Sequence, residues 1–314
     1  MPLLEKRALS QMYSRLDWPA LGVAVLADRR LLKVSGSRAR DFLQGLITQD
    51  ISGLKDDDGV YSLLLTPNGR YMADFFVIGQ PEGILLDVHT LRAVGLENAL
   101  KLYGFREKLS FEWCADKKVV AVWGQGGLKE HLRETVPDPG IIFPDPRHPE
   151  LGLRAVVPAG SVEAAGTSLA GSDVYKRFCY TRGAPDAGDF VPQKTIPFEY
   201  GLQYVNALSL DKGCYLGQEL IARTLHRGQI RHQLWPGHIL DRDKCDFITP
   251  GLEILYSDRT IGKALSVFQD ICLMRLEANA SPLAGENVSC ENIAIQLLPP
   301  PFQQAIEGPI SSKK

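Results

Sequence analysis

The stretch LSLDKGCYLGQELIARTLHRG, residues 208–228, places one of the chain's six cysteines directly after a glycine, at the mouth of a helical pattern. Apolar spacing predicts a helix over about Tyr215 to Arg227, stopped by Gly228. Glu219 and Arg223 stand four apart with the acid first, the order that favours a pair on one helix face. Cys214 then falls at the helix N-terminus beside Lys212, and both the helix end and the ammonium favour a thiolate there. Gly213 permits a tight turn and leaves the sulfur uncovered. Two readings stand side by side: a working thiol, as nucleophile or metal ligand, or a small buried hydrophobe that holds a loop. His226 lies ~18 Å along such a helix, too far to serve Cys214 as a base, so Cys/His hydrolysis is not supported.

Upstream, residues 21–36 read as two short strands turning at Asp28-Arg29-Arg30. SRARDFLQGLITQDISGL follows as a helix with Ser37 as N-cap and Ala39, Phe42, Leu43, Leu46 and Ile47 at helical spacing. GVYSLLLTPNGRYMADFFVIG is a hairpin around Thr66-Pro67-Asn68-Gly69; GILLDVH is a strand and TLRAVGLENALKLYGF a helix. These elements make an α+β layer over residues 1–110. A second α+β unit, 111–231, holds strands VVAVWG and LGLRAVVP, the helix GGLKEHLRETV, a proline-rich loop PDPGIIFPDPRHPE, a helix in SDVYKRFCYTRGAPDAG, and the opening motif. From residue 232 to 298 short strands at regular spacing predict a small antiparallel sheet or barrel, and 299–314 reads as a disordered tail.

Composition narrows the function classes. A net charge of −2 argues against a nucleic-acid or anionic-membrane partner, and 45% hydrophobic with 23% charged residues describes an ordinary globular chain. The cysteines, at 114, 179, 214, 245, 272 and 290, include no C-x-x-C and no zinc-finger spacing, so reduced thiols and no resident metal are expected. No apolar run approaches the ~20 residues that span a bilayer, and the N-terminus lacks the apolar core of a secretory signal.

Lys212-Gly213-Cys214-Tyr215-Leu216-Gly217-Gln218-Glu219 resembles the K-G-C-[FY]-x-G-Q-E signature of the YgfZ family, folate-binding relatives of the glycine cleavage T-protein. VSGSRARDFLQGLITQDI, LLTPNGRYMADFFV and IPFEYGL resemble three further family segments in the same order, so the likeness runs from about residue 34 to 228. The resemblance implies a three-domain ring of two α+β sheet domains plus a small C-terminal antiparallel β-barrel, with tetrahydrofolate or a one-carbon derivative held at its centre. It implies maturation of [4Fe–4S] proteins together with iron–sulfur assembly and carrier proteins, an effect on tRNA modification in bacteria, and residence in the bacterial cytoplasm or the mitochondrial matrix. By position it implies that Cys214 is the motif thiol, with Lys212, Tyr215, Gln218, Glu219 and Arg223 around it. Glu199 takes the place of a pterin-binding glutamate, Arg182 suits the folate tail, and Asp74 takes the place of one member of an acidic pair. Ala73 stands where the second acid would be, which counts against the alternative, an aminomethyltransferase of the T-protein type. Read without the family, Asp74 is an ordinary solvent-facing strand residue and Glu199 an ordinary loop acid.

Overall fold

The structure is a computed structural model, and it describes residues 21–165, 169–227, 230–279 and 284–298. The expected Gly228 stop and the tail at 299–314 lie outside the described residues, as does the N-terminal stretch 1–20.

Three bodies are present. The first is a five-stranded antiparallel sheet made from β2 (Arg29–Ser35), β3 (Gly59–Leu65), β4 (Tyr71–Gln80), β5 (Gly83–His89) and β6 (Ser110–Cys114), in the order β3-β4-β5-β2-β6. The second is a four-stranded antiparallel sheet of β1 (Leu21–Val25), β7 (Lys117–Gly124), β8 (Ile141–Pro144) and β9 (Leu153–Pro158), in the order β1-β7-β9-β8. The third is a closed barrel of β10 (His232–Ile239), β11 (Glu253–Tyr256), β12 (Arg259–Phe268), β13 (Ile271–Glu277), β14 (Asn287–Cys290) and β15 (Ile293–Leu297). The helices are α1 (Ala39–Gln44), α2 (Thr90–Tyr103), α3 (Leu128–Thr135), α4 (Ala159–Ala165), α5 (Ser172–Thr181) and α6 (Gln218–Arg227). The α+β class and the terminal barrel agree with expectation.

The run MADFFVIG shows why the first sheet sits centrally. Along a strand, alternate residues face opposite sides. Ala73, Phe75 and Val77 join the core beneath α1 and α2, while Phe76 and Ile78 join a second core shared with Trp123, Tyr175, Phe178 and Tyr215. A strand covered on both faces is apolar throughout, and Asp74 on the second face is therefore buried rather than solvent-facing.

Several local expectations are corrected. β1 and β2 do not form a hairpin: Leu21 to Val25 pair with β7, whereas β2 pairs with β5 and β6, so Asp28 marks a crossing from one sheet to the other. β6 lies past residue 110 yet joins the first sheet, and β1 lies before it yet joins the second. α1 begins after Arg38 with no side-chain cap and ends at Gln44, because Leu46 and Ile47 turn into the core instead of continuing the helix. Within the proline-rich loop, Ile141–Pro144 forms β8 on the sheet's edge, where proline's missing N–H is tolerated.

Candidate functional site

α6 begins at Gln218, not near Tyr215, because Gly217 takes a φ of +82° and breaks the chain direction just before it. Cys214 therefore stands on an exposed loop four residues ahead of the helix, not at its first turn. Lys212 does not serve the sulfur either. Its ammonium is buried and donates to three backbone carbonyls, Gln44 O at 2.7 Å, Ile47 O at 2.8 Å and Gln49 O at 2.9 Å. Burial pushes its pKa down to about 8 against a smaller pull from Asp50, and three carbonyl acceptors work against that loss of charge.

Those carbonyls belong to the QGLITQD segment, so two motifs far apart in sequence form one substructure. Thr48 Oγ1 donates to Ala207 O at 2.6 Å, Ser209 N to Thr48 O at 3.1 Å, and Gln49 Nε2 to Asn206 O at 2.6 Å. The hairpin turn joins as a third partner. A Cβ on Gly217 would stand 2.5 Å from Thr66 O, and one on Gly69 would stand 2.6 Å from Leu220 Cβ, so the turn and the motif loop meet through two glycines with positive φ. Tyr215 is buried beneath the loop with its hydroxyl unpartnered among the described residues, and burial pushes its pKa up to about 12. Gln218 opens α6, half-buried, and Glu219 Oε1 accepts from Arg223 Nη2 at 2.6 Å in the expected acid-first pair on the solvent face.

The three bodies also meet around a cavity of about 180 Å³. Asp74, Tyr61 and Phe76 of the first sheet line it, with Arg147 and Arg154 of the second unit, Tyr175 and Lys176 of α5, and Phe268 of the barrel. Asp74 accepts from Tyr71 OH at 2.5 Å and Tyr61 OH at 3.0 Å, and both phenols are held neutral, their pKa raised by burial and by that carboxylate. Behind it, Asp87 accepts from Arg29 Nε at 2.6 Å and from Arg154, and Asp145 accepts from Arg147 Nη2 at 2.8 Å. Burial alone would raise both carboxyls; the adjacent guanidiniums hold each of them below the usual range. Arg154 Nε, fully buried in the wall, has no partner among the described residues.

The other expected site residues lie elsewhere. Glu199, in a tight turn at Pro197–Tyr200, does not line the cavity: Arg275 Nη1 at 2.9 Å and His232 Nδ1 at 3.2 Å on the barrel strands hold its two oxygens. Arg182 stacks on Phe178 at 3.7 Å and reaches Glu150 at 3.5 Å, also away from the cavity lining. The structure thus gathers Lys212, Cys214 and Tyr215 at the motif junction, Asp74 in the cavity, and Glu199 at the barrel contact. Sequence reading missed Arg29, Asp87, Asp145, Arg147 and Arg154. The signal was present in GILLDVH, where an acid inside a run buried on both faces demands a buried cation.

Asp28, His89 and Asp186 bring metal-ligating atoms within 4.8 Å of one another beside the cavity. His89 Nδ1 accepts from Leu91 N at 3.1 Å, which puts the ring hydrogen on Nε2, facing Asp28 at 3.2 Å. That nitrogen has no lone pair for a cation, so the cluster is a hydrogen-bonded clamp. A larger open groove, about 770 Å³, runs between α5 and the barrel beside Arg177, Arg242 and Asp270, and no motif residue lines it.

At about 180 Å³ the cavity is smaller than ordinary ligand pockets, which run from about 300 Å³ upward. Asp74 keeps acceptor capacity beyond its two tyrosines, while the Arg154 guanidinium covers the Phe76 ring at 3.8 Å and its Nε is buried.

No family model matches the chain. The fold is that of a T-protein: the crystal structure of glycine cleavage system aminomethyltransferase T from Bartonella henselae superposes with a TM-score of 0.71 over 91% of this chain and 87% of that one, at 16% identity. In sequence, the iron–sulfur cluster assembly factor IBA57, mitochondrial, of Homo sapiens is 32% identical over 261 residues, 76% of this chain and 72% of that protein. The Mus musculus protein of the same description is 28% identical over 90% of this chain and 86% of its own length. The chain spans 57% of the Neurospora crassa homolog, at 30% identity. With a 32% identical relative matched over most of both lengths, on the expected T-protein fold, the chain belongs to the IBA57 family of iron–sulfur cluster assembly factors.

Proposed function

We propose that this chain acts in iron–sulfur cluster assembly, with Cys214 as the thiol it presents to an assembly or carrier protein. One observation carries the reading. Of six free cysteines Cys214 is the exposed one, and the loop that presents it is tied down on both sides, by Lys212 onto three carbonyls and by Gly217 onto the hairpin turn. Such a sulfur is a soft ligand suited to iron in transit. The other cysteines are wholly or partly buried, and burial raises the thiol pKa of each.

Tetrahydrofolate enters as the group whose head the cavity takes; when bound it supplies a reduced ring and a one-carbon site. Asp74, which lines the cavity and keeps acceptor capacity beyond its two tyrosines, would accept from the ring's N–H groups. Lys212 holds the motif loop against the first sheet. Glu199 would reach the ligand only by leaving Arg275 and His232, so its place here is at the barrel contact. Mitochondrial residence, or the bacterial cytoplasm, goes with this reading; the human and mouse relatives are described as mitochondrial.

The test is complementation. Cys214→Ser should fold and yet fail to restore [4Fe–4S] enzyme activity in cells lacking the protein; full restoration overturns the role of the thiol. Calorimetry with tetrahydrofolate tests the cavity separately: Asp74→Ala should weaken binding at least tenfold, and unchanged binding would place the ligand elsewhere. Turnover of an aminomethylated lipoyl carrier by the purified protein would instead establish the aminomethyltransferase reading.

A further inference from the structure

α2 is apolar on both sides. Ala93, Leu96, Ala99 and Leu100 bury against the first sheet, as a surface helix should. The opposite side shows Leu91 at 61% exposure, Val94 at 63% and Leu102 at 69%, with Phe105 at 72% just past the helix end. Leu91, Val94, Asn98 and Leu102 follow at intervals of three, four and four residues, the spacing of one helix face. Single exposed apolar residues are ordinary; an aligned set along one helix marks a contact surface.

Gly95 adds a second, independent observation. It lies in mid-helix on the exposed side, and a Cβ there would meet nothing within 4 Å. The fold itself gives no reason for a glycine, which costs about 1 kcal/mol against alanine at such a position. With Leu91, Val94 and Asn98 it forms a four-residue hole whose floor is bare backbone, shaped to take one side chain of a crossing helix. A bilayer, which has no ridge to insert, gains nothing from that notch.

The rim is cationic. Arg106 and Lys108 are exposed just past the helix end, Arg106 resting over Phe105 at 5.0 Å, while Lys101 is paired with Glu97. The nearby acids are engaged, Glu97 by Lys101 at 2.7 Å and by Trp113 Nε1 at 2.8 Å, and Glu107 by Arg38 at 3.5 Å. A second copy of this face therefore brings no free carboxylate to the cations. The chain's stretch 1–20, with Lys6, Arg7 and Arg15 against Glu5 and Asp17, is no better complement.

We propose that the exposed face of α2, Leu91, Val94, Gly95, Leu102 and Phe105, is a docking surface for an amphipathic helix of a partner protein whose apolar ridge is flanked by carboxylates. The apolar ridge seats on the stripe with one side chain over Gly95, and the flanking acids meet Arg106 and Lys108. This surface is separate from the Cys214 loop and does not depend on what that thiol binds.

The test uses the full chain, isotope-labelled, titrated with a synthetic helical peptide bearing leucines on one face and glutamates beside them. Amide signals of residues 91–108 should shift saturably, and the same peptide with lysines for glutamates should bind about tenfold more weakly. Gly95→Leu fills the hole while improving helix propensity, so it should fold and yet weaken binding about tenfold. Leu102→Glu should weaken it further. Four results would each overturn the proposal: no shift at 91–108; equal binding by Gly95→Leu; binding of phosphatidylglycerol vesicles that Leu102→Glu abolishes; or a dimer that Leu102→Glu dissociates.

Discussion

Two buried cationic sites hold this molecule together in opposite ways. At the motif junction a single ammonium, Lys212, satisfies three backbone carbonyls. Behind the cavity, Arg29 and Arg154 answer Asp87 while Arg147 answers Asp145, charge against charge. A buried ion pair adds little net stability over apolar packing, but losing one member leaves the other buried without compensation. The carbonyl clamp fixes a loop in place; the ion network ties the two sheets together, since Asp87 lies on the first and Arg154 on the second.

Removing one side of each site sharpens that contrast. Asp87→Asn should cost most, about 3–5 kcal/mol in urea unfolding, because Arg29 and Arg154 lose their common counter-ion. A cost below 1 kcal/mol would show that water reaches the network. Lys212→Met should cost about 2–4 kcal/mol by leaving three carbonyls without a donor, and hydrogen exchange should quicken at residues 44–50 and 206–217 before anywhere else. Exchange that quickens uniformly would mean the clamp is not local.

Asp189 extends the comparison to a buried acid held by neutral partners. It accepts from Tyr180 OH at 2.8 Å and Asp186 N at 2.6 Å, and burial pushes its pKa up to about 6. The folded state holds this proton more tightly than the unfolded chain. The stability it adds is complete below about pH 4 and is lost as pH rises through about 6, on the order of 2–3 kcal/mol. Asp189→Asn should flatten that part of the stability profile, and an unchanged profile would assign the slope to other groups. Cys214→Ser, on an exposed loop, should shift stability by no more than about 0.5 kcal/mol, so any loss of function it causes is chemical; a larger shift would mean the thiol packs.

Much of the architecture was legible. The hairpin around Gly69, the strand GILLDVH, the helix after it and the barrel strands follow from period and turn chemistry, which are local. The short strand β14 went unseen because Asn287–Cys290 carries only Val288 and Cys290 as apolar residues. The site was less legible. The start of α6 was misplaced because Gly217 was read as part of a helix rather than as the positive-φ residue that precedes it. Lys212 looked like an electrostatic partner for Cys214, and its three carbonyls are invisible in sequence because they belong to residues 44–49.

By itself the sequence determined the α+β layers, the barrel and the identity of the motif cysteine, all of which depend on periodicity or on an ordered run of neighbouring residues. Only the tertiary structure decided that β1 and β2 part company, that Asp74 faces a cavity, that Glu199 turns to the barrel, and that α2 keeps an apolar side uncovered. The physical reason is shared. Each depends on which distant groups meet a buried charge or cover an apolar face, and that is set by how the three bodies pack, not by the residues alongside.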